Sequence, residues 1–463
     1  MRVTQAYDGK TICEIQLDDE ASLEQKLLRA DRFFRNRSNW LERYRRIEIL
    51  KRLARLVERD SDAFSLLIAR EGGKPLVDSR VEVARAISGI EGAASALEGL
   101  AGTEIPMGLS QASTDRLAFT TLEPIGIVAA ISAFNHPLNL IVHQVVPAIA
   151  TGCPVIVKPA NTTPLCCLRL IDLIREAGLP EPLCEAFVVE DLSLAERFAT
   201  DGRIALLSFI GSAKVGWHLR SRVAAGTRVA LEHGGAAPVI IDRSADLDAI
   251  VAPLVKGGFY HAGQVCVSVQ RIYIRDELKE QFAELYADRA RSLRVGDPSS
   301  AETDVGPLIL PREVVRVGEW VSEAEAGGGH VIAGGKRISD RLYEPTVLLE
   351  PPPTARVSRE EIFGPVVCIY GYASLSEAVD RANGLPYAFQ ASIFGRDVDV
   401  AFGVASRLDA SAVMINDHTA FRTDWMPFAG RRQSGYGTGG IPYTMRDMTQ
   451  QKMIVVKFNH LAG

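Results

Sequence analysis

The chain has 463 residues, of which 47% are hydrophobic and 24% charged, and its formal net charge is −5. This composition is ordinary for a folded globular protein, and the length exceeds the roughly 250–300 residues at which one hydrophobic core stops growing. Because no basic block occurs, we expect neither nucleic acid nor an acidic membrane surface as a partner.

The seven cysteines are odd in number and show no C-x-x-C spacing. This usage is typical of a reducing compartment and predicts neither a disulfide framework nor a zinc site. The first residues, "MRVTQAYDGKTICEIQ", contain no apolar core that could serve as a secretory signal. We therefore expect a cytoplasmic protein.

Helical spacing of apolar residues dominates the chain up to about residue 100, and strand-like runs then alternate with helical ones. Such alternation predicts an α/β fold with a parallel sheet covered on both faces. Residues 124–157 carry no charged side chain, but seven Asn, His, Gln and Pro residues interrupt them, so they indicate buried strand, loop and helix and no membrane span. The first strand-like runs are "PIGIVAAIS", "PVIVKP", "EAFVV" and "IALLSFIGS", with helices near 138–150, 164–177 and 193–200.

The pattern restarts after "VALEHGG", which predicts a second α/β domain from about residue 235. The last segment, "QQKMIVVKF", is predicted to be a strand outside this domain, and pairing across a subunit boundary is one alternative for it. The strand-like runs of this half are "PVIID", "RIYI", "FGPVVCIYG", "ASIFG" and "SAVMIND", with helices near 246–260, 277–292 and 375–383.

Polar residues follow four strand-like runs, where an open α/β sheet binds its ligand. They are Asn135, Lys158, the glycine-serine turn of "SFIGSAKVG" and Glu232. None is informative alone: the turn lacks the G-x-G-x-x-G form, and a free cysteine such as Cys266 is usually a core residue. Their convergence would suit a nucleotide-dependent active site.

Seven segments in order resemble motifs of the NAD(P)-dependent aldehyde dehydrogenase superfamily, over essentially the whole chain. The resemblance implies a Rossmann-like cofactor domain (1–107 and 124–234), an α/β catalytic domain (235–440) and a small bridging β-sheet (108–123 and 441–463). Pairing of the C-terminal strand with a neighbouring subunit would give a homodimer or homotetramer. The matching segments are "AFNHPLNL", "VIVKPANTTP", "FIGSAKVG", "LEHGGAAPVI", "GQVC", "EEIFGPV" and "PFAGRRQSGYG".

The resemblance assigns aldehyde oxidation to three residues. Cys266 would attack the aldehyde to give a thiohemiacetal, whose oxyanion the Asn135 amide and the Cys266 backbone N–H would bind. Loss of hydride leaves a thioester, and Glu232 would be the general base that activates water to hydrolyse it.

The cofactor would be NAD or NADP. The resemblance implies that Lys158 bonds the adenosine ribose, Gly211 and Ser212 meet the pyrophosphate, Glu361 holds the nicotinamide ribose and Phe363 lies beside the ring. Ala160, Asn161 and Val215 complete the predicted cofactor site. Asn161 stands where the family has a glutamate, which removes repulsion against a 2′-phosphate and leaves the choice of cofactor open. His233 and Ala429 also depart from the motifs, without removing a catalytic group.

Valines flank Cys266, so polarity for a polar substrate must come from other loops. His136 follows the oxyanion Asn135, Asn139 and His143 would share one helix face, and Arg422 precedes the "PFAG" loop. A guanidinium suits a carboxylate, sulfonate or phosphonate, so we hypothesise a short anionic aldehyde. The alternative is that Arg422 is a structural ion-pair partner and His136 a loop histidine.

Two other functions stay open on the sequence. Some members of the family pass the thioester to coenzyme A, although these tend to lack the glutamate found here as Glu232. A protein that keeps the fold without catalysis is the third reading, which the presence of every catalytic residue disfavours.

Overall fold

The four N-terminal helices are amphipathic and pack on the first half of the chain. The computed structural model describes residues 1–458. Helix α1 begins directly after its N-cap residue Asp19, whose carboxylate accepts a hydrogen bond from the Ser22 N–H in a capping box. The segment comprises β1 Arg2–Thr4, β2 Thr11–Glu14, α1 Glu20–Arg35, α2 Arg43–Arg59, α3 Ser61–Gly72 and α4 Leu76–Gly99.

The first large sheet has six strands in the order β19-β9-β8-β5-β6-β7, and only β19 runs antiparallel to its neighbour. The predicted parallel α/β arrangement is confirmed. Its elements are β5 Ile127–Ile131, α5 Asn139–Thr151, β6 Val155–Lys158, α6 Leu165–Glu176, β7 Cys184–Ala186, α7 Leu192–Thr200, β8 Ile204–Ile210, α8 Ala213–Arg220, β9 Arg228–Glu232 and β19 Gly435–Tyr436.

The second large sheet has seven strands in the order β12-β13-β14-β11-β10-β16-β17, parallel except for β12. A continuous apolar cluster fills the space between this sheet and its helices. The elements are β10 Ala237–Ile241, α9 Leu247–Phe259, β11 Val269–Arg275, α10 Lys279–Arg291, α11 Pro311–Ala326, β12 His330–Ala333, β13 Thr346–Leu349, α12 Arg356–Arg359, β14 Val366–Tyr372, α13 Leu375–Asn383, β16 Gln390–Phe394, α14 Val398–Ala405 and β17 Ala412–Ile415, with the short pair β15 Tyr387–Ala388 and β18 Arg431–Arg432 alongside.

The C-terminal strand lies in a three-stranded antiparallel sheet of order β20-β4-β3. Its elements are β3 Glu104–Ile105, β4 Arg116–Pro124, α15 Ile441–Asp447, which packs on α5, and β20 Thr449–Lys457. Strand β20 pairs with β4 of the same chain along its whole length and exposes apolar side chains such as Met453 and Val455. Residues 459–463 of the predicted bridging segment lie outside the described residues, and the division into domains stays a prediction.

The uncharged stretch 124–157 forms β5, α5 and β6, and almost all of it is buried inside the first unit. Within residues 1–458, no helix combines the length and apolar character needed to cross a membrane.

Candidate active site

A cavity of about 880 Å³ lies between the carboxyl ends of β5, β8 and β9 in the first sheet and the segments that precede β10, β11 and β14 in the second. This volume is within the range of about 300–1,000 Å³ that is typical of ligand and cofactor pockets. Asn135, Glu232 and Cys266 all line it. The three predicted catalytic residues therefore share one cavity, although they come from distant parts of the chain.

The loop that carries Cys266 is held by hydrogen bonds on both sides. Three left-handed residues precede it, and a Cβ on Gly263 would lie 2.1 Å from the Gly364 carbonyl oxygen, so glycine is required there. The Gln264 amide donates to the Pro307 carbonyl at 3.2 Å, and its Oε1 accepts from the Ile309 N–H at 2.9 Å. These contacts fix the backbone immediately before Cys266.

Burial raises the pKa of the Cys266 thiol to about 12, and the nearby Arg422 guanidinium opposes this rise. In its predicted role as the nucleophile, the thiol would have to lose its proton to a neighbouring base. Burial also raises the pKa of Glu232, again against the effect of Arg422. Glu232 is thus a base of increased strength in the same cavity.

The Asn135 side chain is oriented by the nucleophile loop. Its amide donates a hydrogen bond to the Gln264 carbonyl at 3.0 Å, and the residue is buried. An amide nitrogen carries two hydrogens, so one remains for an oxyanion formed beside Cys266. This orientation is compatible with the predicted role of Asn135 as an oxyanion donor.

Cofactor residues at the cavity wall fit a dinucleotide. Gly211 and Ser212 precede the first turn of α8, whose free N–H groups suit a pyrophosphate. Glu361 accepts a hydrogen bond from the Gly235 N–H at 3.1 Å, and burial raises its pKa to about 8. Phe363 packs edge-on against Phe134. Ala160, Val215, Glu361 and Phe363 line the cavity with them.

Lys158 and Asn161 are not among the residues that line this cavity, although Ala160 between them is. The Lys158 ammonium donates to Asn161 Oδ1 at 2.9 Å, and burial lowers the pKa of this lysine to about 8. The two side chains thus form one polar pair at the end of β6.

His233 supports the loop that would meet the pyrophosphate. Its Nδ1 lies 2.9 Å from the Gly211 carbonyl oxygen and must be the donor, while the Gly211 N–H donates to the Glu232 carbonyl at 3.0 Å. A Cβ on Gly216 would lie 2.0 Å from the imidazole, so this glycine makes room for the ring. His233, which departs from the family motif, is therefore packed against the loop that would contact the cofactor.

A charged cluster lies on the side of the cavity formed by α4, α5 and the loop before β18. Asp424 accepts hydrogen bonds from Arg85 at 2.7 Å and Asn139 at 3.1 Å, and its Oδ1 lies 2.7 Å from His143 Nε2. Burial lowers the pKa of His143 to about 4. The ring is thus neutral near pH 7, with Nε2–H as the donor, which leaves Nδ1 facing Arg422 at 3.4 Å.

Of the four predicted substrate residues, three line the cavity and one lies behind its wall. His136, Asn139 and Arg422 line the cavity, whereas His143 lies behind them. His136 Nε2 is 3.2 Å from the Tyr260 hydroxyl, and burial keeps the pKa of His136 well below its usual value. The Arg422 guanidinium stacks over the Phe428 ring at 3.5 Å.

A family model described as the aldehyde dehydrogenase family matches residues 1–454. The chain belongs to the aldehyde dehydrogenase family. A 3-sulfolactaldehyde dehydrogenase of Priestia aryabhattai is 34% identical over 457 residues, which cover 98% of this chain and 94% of that protein. The enzyme therefore oxidises aldehydes with NAD or NADP, as its family does.

Two solved aldehyde dehydrogenases share its whole fold. Aldehyde dehydrogenase 21 of Physcomitrella patens, in complex with the reaction product succinate, superposes with a TM-score of 0.95 at 33% identity, covering 99% of this chain and 95% of that one. The glyceraldehyde-3-phosphate dehydrogenase of Methanocaldococcus jannaschii, in complex with NADP, gives a TM-score of 0.94 at 33% identity and covers 99% of both chains.

Sequence reasoning missed several cavity residues of this aldehyde dehydrogenase. Arg85, on α4, and Lys256 and Tyr260, at the end of α9, line the cavity without belonging to any quoted motif. The one available signal was the helical spacing of three charged residues, Asp78, Glu82 and Arg85, in an otherwise largely apolar segment. Asp78 and Glu82 are buried on this helix.

Proposed function

We propose that this aldehyde dehydrogenase oxidises a short anionic aldehyde to its acid through a thioester on Cys266. The observation that carries the proposal is the Arg422 guanidinium, which lines the same cavity as Cys266 and Glu232. Within residues 1–458, its buried Nε has no hydrogen-bond partner. The guanidinium as a whole suits a carboxylate, sulfonate or phosphate on the substrate, because its N–H groups can donate paired hydrogen bonds.

Arg85 and Arg422 differ in how their charge is balanced. Arg85 makes two hydrogen bonds to Asp424, whereas Arg422 faces the neutral His143. The positive charge of Arg422 is therefore the one that is available to bind an anion. Asp424 fixes the side chains of Arg85 and Asn139 beside Arg422. Of the three relatives described above, one is named for a sulfonated aldehyde, one is in complex with a dicarboxylate product and one is named for a phosphorylated aldehyde. Each of those compounds is a short anion.

In the proposed mechanism, Glu232 takes the thiol proton and the Cys266 sulfur attacks the aldehyde carbon. The Asn135 amide and the Cys266 backbone N–H stabilise the resulting oxyanion, and one such donor is typically worth about 2.7–4 kcal/mol. The nicotinamide, when bound, supplies the hydride acceptor. Glu232 first releases the thiol proton to solvent. It then takes a proton from water, whose oxygen attacks the thioester, and returns it to the Cys266 sulfur as the acid leaves and the thiol re-forms.

The cofactor would be held by the α8 N-terminus with Gly211 and Ser212, by Glu361 and by the Lys158–Asn161 pair. Asn161 is uncharged and accepts a hydrogen bond from Lys158, so it leaves no carboxylate to repel a 2′-phosphate. Both NAD and NADP are expected to work.

The presence of Glu232 in the cavity favours hydrolysis over transfer of the acyl group to coenzyme A. A panel of anionic and neutral aldehydes, assayed with NAD and NADP and without coenzyme A, tests the proposal. We expect reduction of the cofactor and release of acid with the anionic aldehydes. Strict dependence on coenzyme A, or no preference for anions, would contradict it.

The proposal extends to assembly and location. The unpaired edge and exposed apolar side chains of β20 suit a homodimer or homotetramer, because a second copy would cover them. All seven cysteines are free, four of them buried in the first unit, which suits the cytoplasm. Light scattering and cell fractionation test these two statements.

A further inference from the structure

The loop that carries Arg422 is anchored on both sides of this residue. Before it, the Thr419 hydroxyl donates to the Val267 carbonyl at 2.7 Å, in the loop that carries the proposed nucleophile. After it, the Asp424 carboxylate is hydrogen-bonded to side chains of α4 and α5, and the Asp424 carbonyl accepts from the Ile441 N–H at 2.9 Å. The backbone of Arg422 is therefore fixed between the nucleophile loop and the two helices.

Two contacts hold the Arg422 side chain. Its carbon Cζ lies 3.5 Å from the centre of the Phe428 ring, and Phe428 belongs to the apolar cluster around Cys266. Its Nη2 lies 3.4 Å from His143 Nδ1. Its Nη1 forms no hydrogen bond within residues 1–458 and, unlike Nε, is not fully enclosed. The two N–H groups on Nη1 therefore remain for a ligand in the cavity that Arg422 lines.

His143 can hold Arg422 in only one of its tautomers. The ring Nε2 lies 2.7 Å from Asp424 Oδ1, and a carboxylate accepts hydrogen bonds, so Nε2 carries the proton. Nδ1 is then a lone pair that faces a guanidinium, which has donors alone. The other tautomer, or a protonated ring, would set an N–H against an N–H. Burial and the charge of Arg422 lower the pKa of His143 to about 4, which keeps the ring neutral.

The imidazole also keeps the two charged groups of the loop apart. Asp424 lies two residues after Arg422 in the chain, but its carboxylate oxygens are taken up by other donors. These donors are the side chains of Arg85, Asn139 and His143. A neutral acceptor thus fixes Arg422 without cancelling its charge. A buried guanidinium without a carboxylate partner is stabilised when an anion binds to it.

We propose that His143 is a positioning residue for the anion site: held by Asp424 as the Nε2–H tautomer, it fixes the Arg422 guanidinium through a neutral acceptor and thereby sets the preference for anionic aldehydes. His143 lies behind the cavity wall, so in this role it acts through Arg422 and touches neither the substrate nor the reacting atoms. The inference rests on the proposed function of Arg422 and adds to it a residue that determines specificity from outside the cavity.

Inhibition of propanal oxidation by propane-1-sulfonate tests the inference, because the inhibitor carries the anionic group and the substrate does not. We expect competitive inhibition of the unmodified enzyme. His143→Leu should raise Ki on the order of tenfold, as for loss of a hydrogen bond to a charged group, and should lower kcat/KM for propanal by much less. His143→Gln should restore most of the inhibition, because its amide has a donor for Asp424 and an acceptor for Arg422.

A matched control lies on the same helix. Thr151 is buried in α5, and its hydroxyl donates to the Pro147 carbonyl at 2.8 Å. Thr151→Val removes this hydrogen bond at nearly constant volume, and it should leave Ki unchanged. If His143→Leu folds poorly, His143→Met makes the same comparison, because a thioether is only a weak acceptor.

Arg422→Met separates this inference from the proposed function. Weakened inhibition in Arg422→Met together with normal inhibition in His143→Leu would overturn the role of His143 alone. Equal losses of inhibition and of propanal oxidation in His143→Leu, or no recovery in His143→Gln, would show that the ring is merely structural and would also overturn it. Normal inhibition in Arg422→Met, or no inhibition of the unmodified enzyme, would overturn the proposed anion site and this inference with it.

Discussion

The two walls of the catalytic cavity differ in chemical character, because one is apolar and the other contains buried charged groups. Val265, Val267, Phe389 and Phe428 pack into a small apolar cluster around Cys266. The facing wall, from α4 and α5, contains a buried network of ionised groups around Asp424 and Glu82. The apolar wall raises the pKa values of the reacting groups, and the charged wall presents a fixed positive charge to the substrate.

The charged wall is held by buried ion pairs rather than by packing alone. Lys74 and Glu82 form a fully buried salt bridge, and Glu82 Oε1 also accepts the Leu138 and Asn139 N–H groups at 2.9 and 3.0 Å. These two N–H groups lie at the start of α5, where no carbonyl group of the helix itself can accept their hydrogen bonds. The pair therefore positions the helix that follows Asn135.

Loss of the nucleophile should produce the largest effect. Cys266→Ser should lower kcat/KM by about 10⁴-fold or more, because a serine hydroxyl in this apolar wall has no comparable nucleophilicity. Stopped-flow absorbance of the reduced cofactor measures it. Cofactor affinity should be unchanged, and a residual burst of normal amplitude would contradict the role of Cys266.

Breaking the buried pair should cost more stability than breaking an exposed one. Lys74→Met leaves the Glu82 charge uncompensated and should lower the free energy of unfolding by about 3–5 kcal/mol. The matched control is Arg197→Gln, which removes an exposed salt bridge to Glu20 and should cost less than about 1 kcal/mol. Urea unfolding followed by fluorescence compares them, and equal losses would mean that the charged wall is not held by its ion pairs.

Arg422 connects the two walls electrostatically. Its charge lowers the pKa of both Cys266 and Glu232. Arg422→Met should therefore raise both, and because each group reacts in its deprotonated form, the acid limb of kcat/KM for a neutral aldehyde should move to higher pH by about one unit. An unmoved limb would place Arg422 too far from the reacting groups to matter.

The smallest expected effect concerns the cofactor loop. His233→Leu removes the donor to the Gly211 carbonyl and should weaken NAD(P)H binding by about two- to tenfold, as expected for one hydrogen bond. Fluorescence titration measures the Kd. His233→Gln, which keeps an N–H donor, should recover part of the loss, and unchanged binding in His233→Leu would show that the loop needs no such support.

The contrast between the walls also explains what the sequence could predict. Asn135, Glu232 and Cys266 each lie in a short segment that resembles a family motif, so the sequence alone could propose them as catalytic residues. Glu82 and Arg85 lie on α4 and Lys74 lies in the loop before it, more than 50 residues before α5, and only the packing of α4 on α5 brings them to the site. No local pattern encodes that approach.

The secondary-structure elements also differ in how well local sequence patterns predicted them. Strands with continuous apolar runs, such as β5 and β8, and the helices between them were predicted close to their observed bounds. The stretch from α11 to β13 was not predicted, because its strands are short and separated by glycine-rich turns at 327–329 and 334–335. Pairing of β20 with β4 of its own chain could not be chosen from sequence over pairing with a neighbour, since both satisfy the same backbone groups.

Discrimination between two aldehydes that differ by one charged group tests the function of the charged wall most directly. 3-Sulfolactaldehyde and lactaldehyde differ only in the sulfonate, and kcat/KM for each is compared in the unmodified enzyme and in Arg422→Met. We expect the unmodified enzyme to favour the sulfonated aldehyde by about 10- to 100-fold, as hydrogen bonds to a charged group allow, and Arg422→Met to lose that preference. Equal kcat/KM values for the two aldehydes in the unmodified enzyme, or a preference that survives in Arg422→Met, would contradict the account.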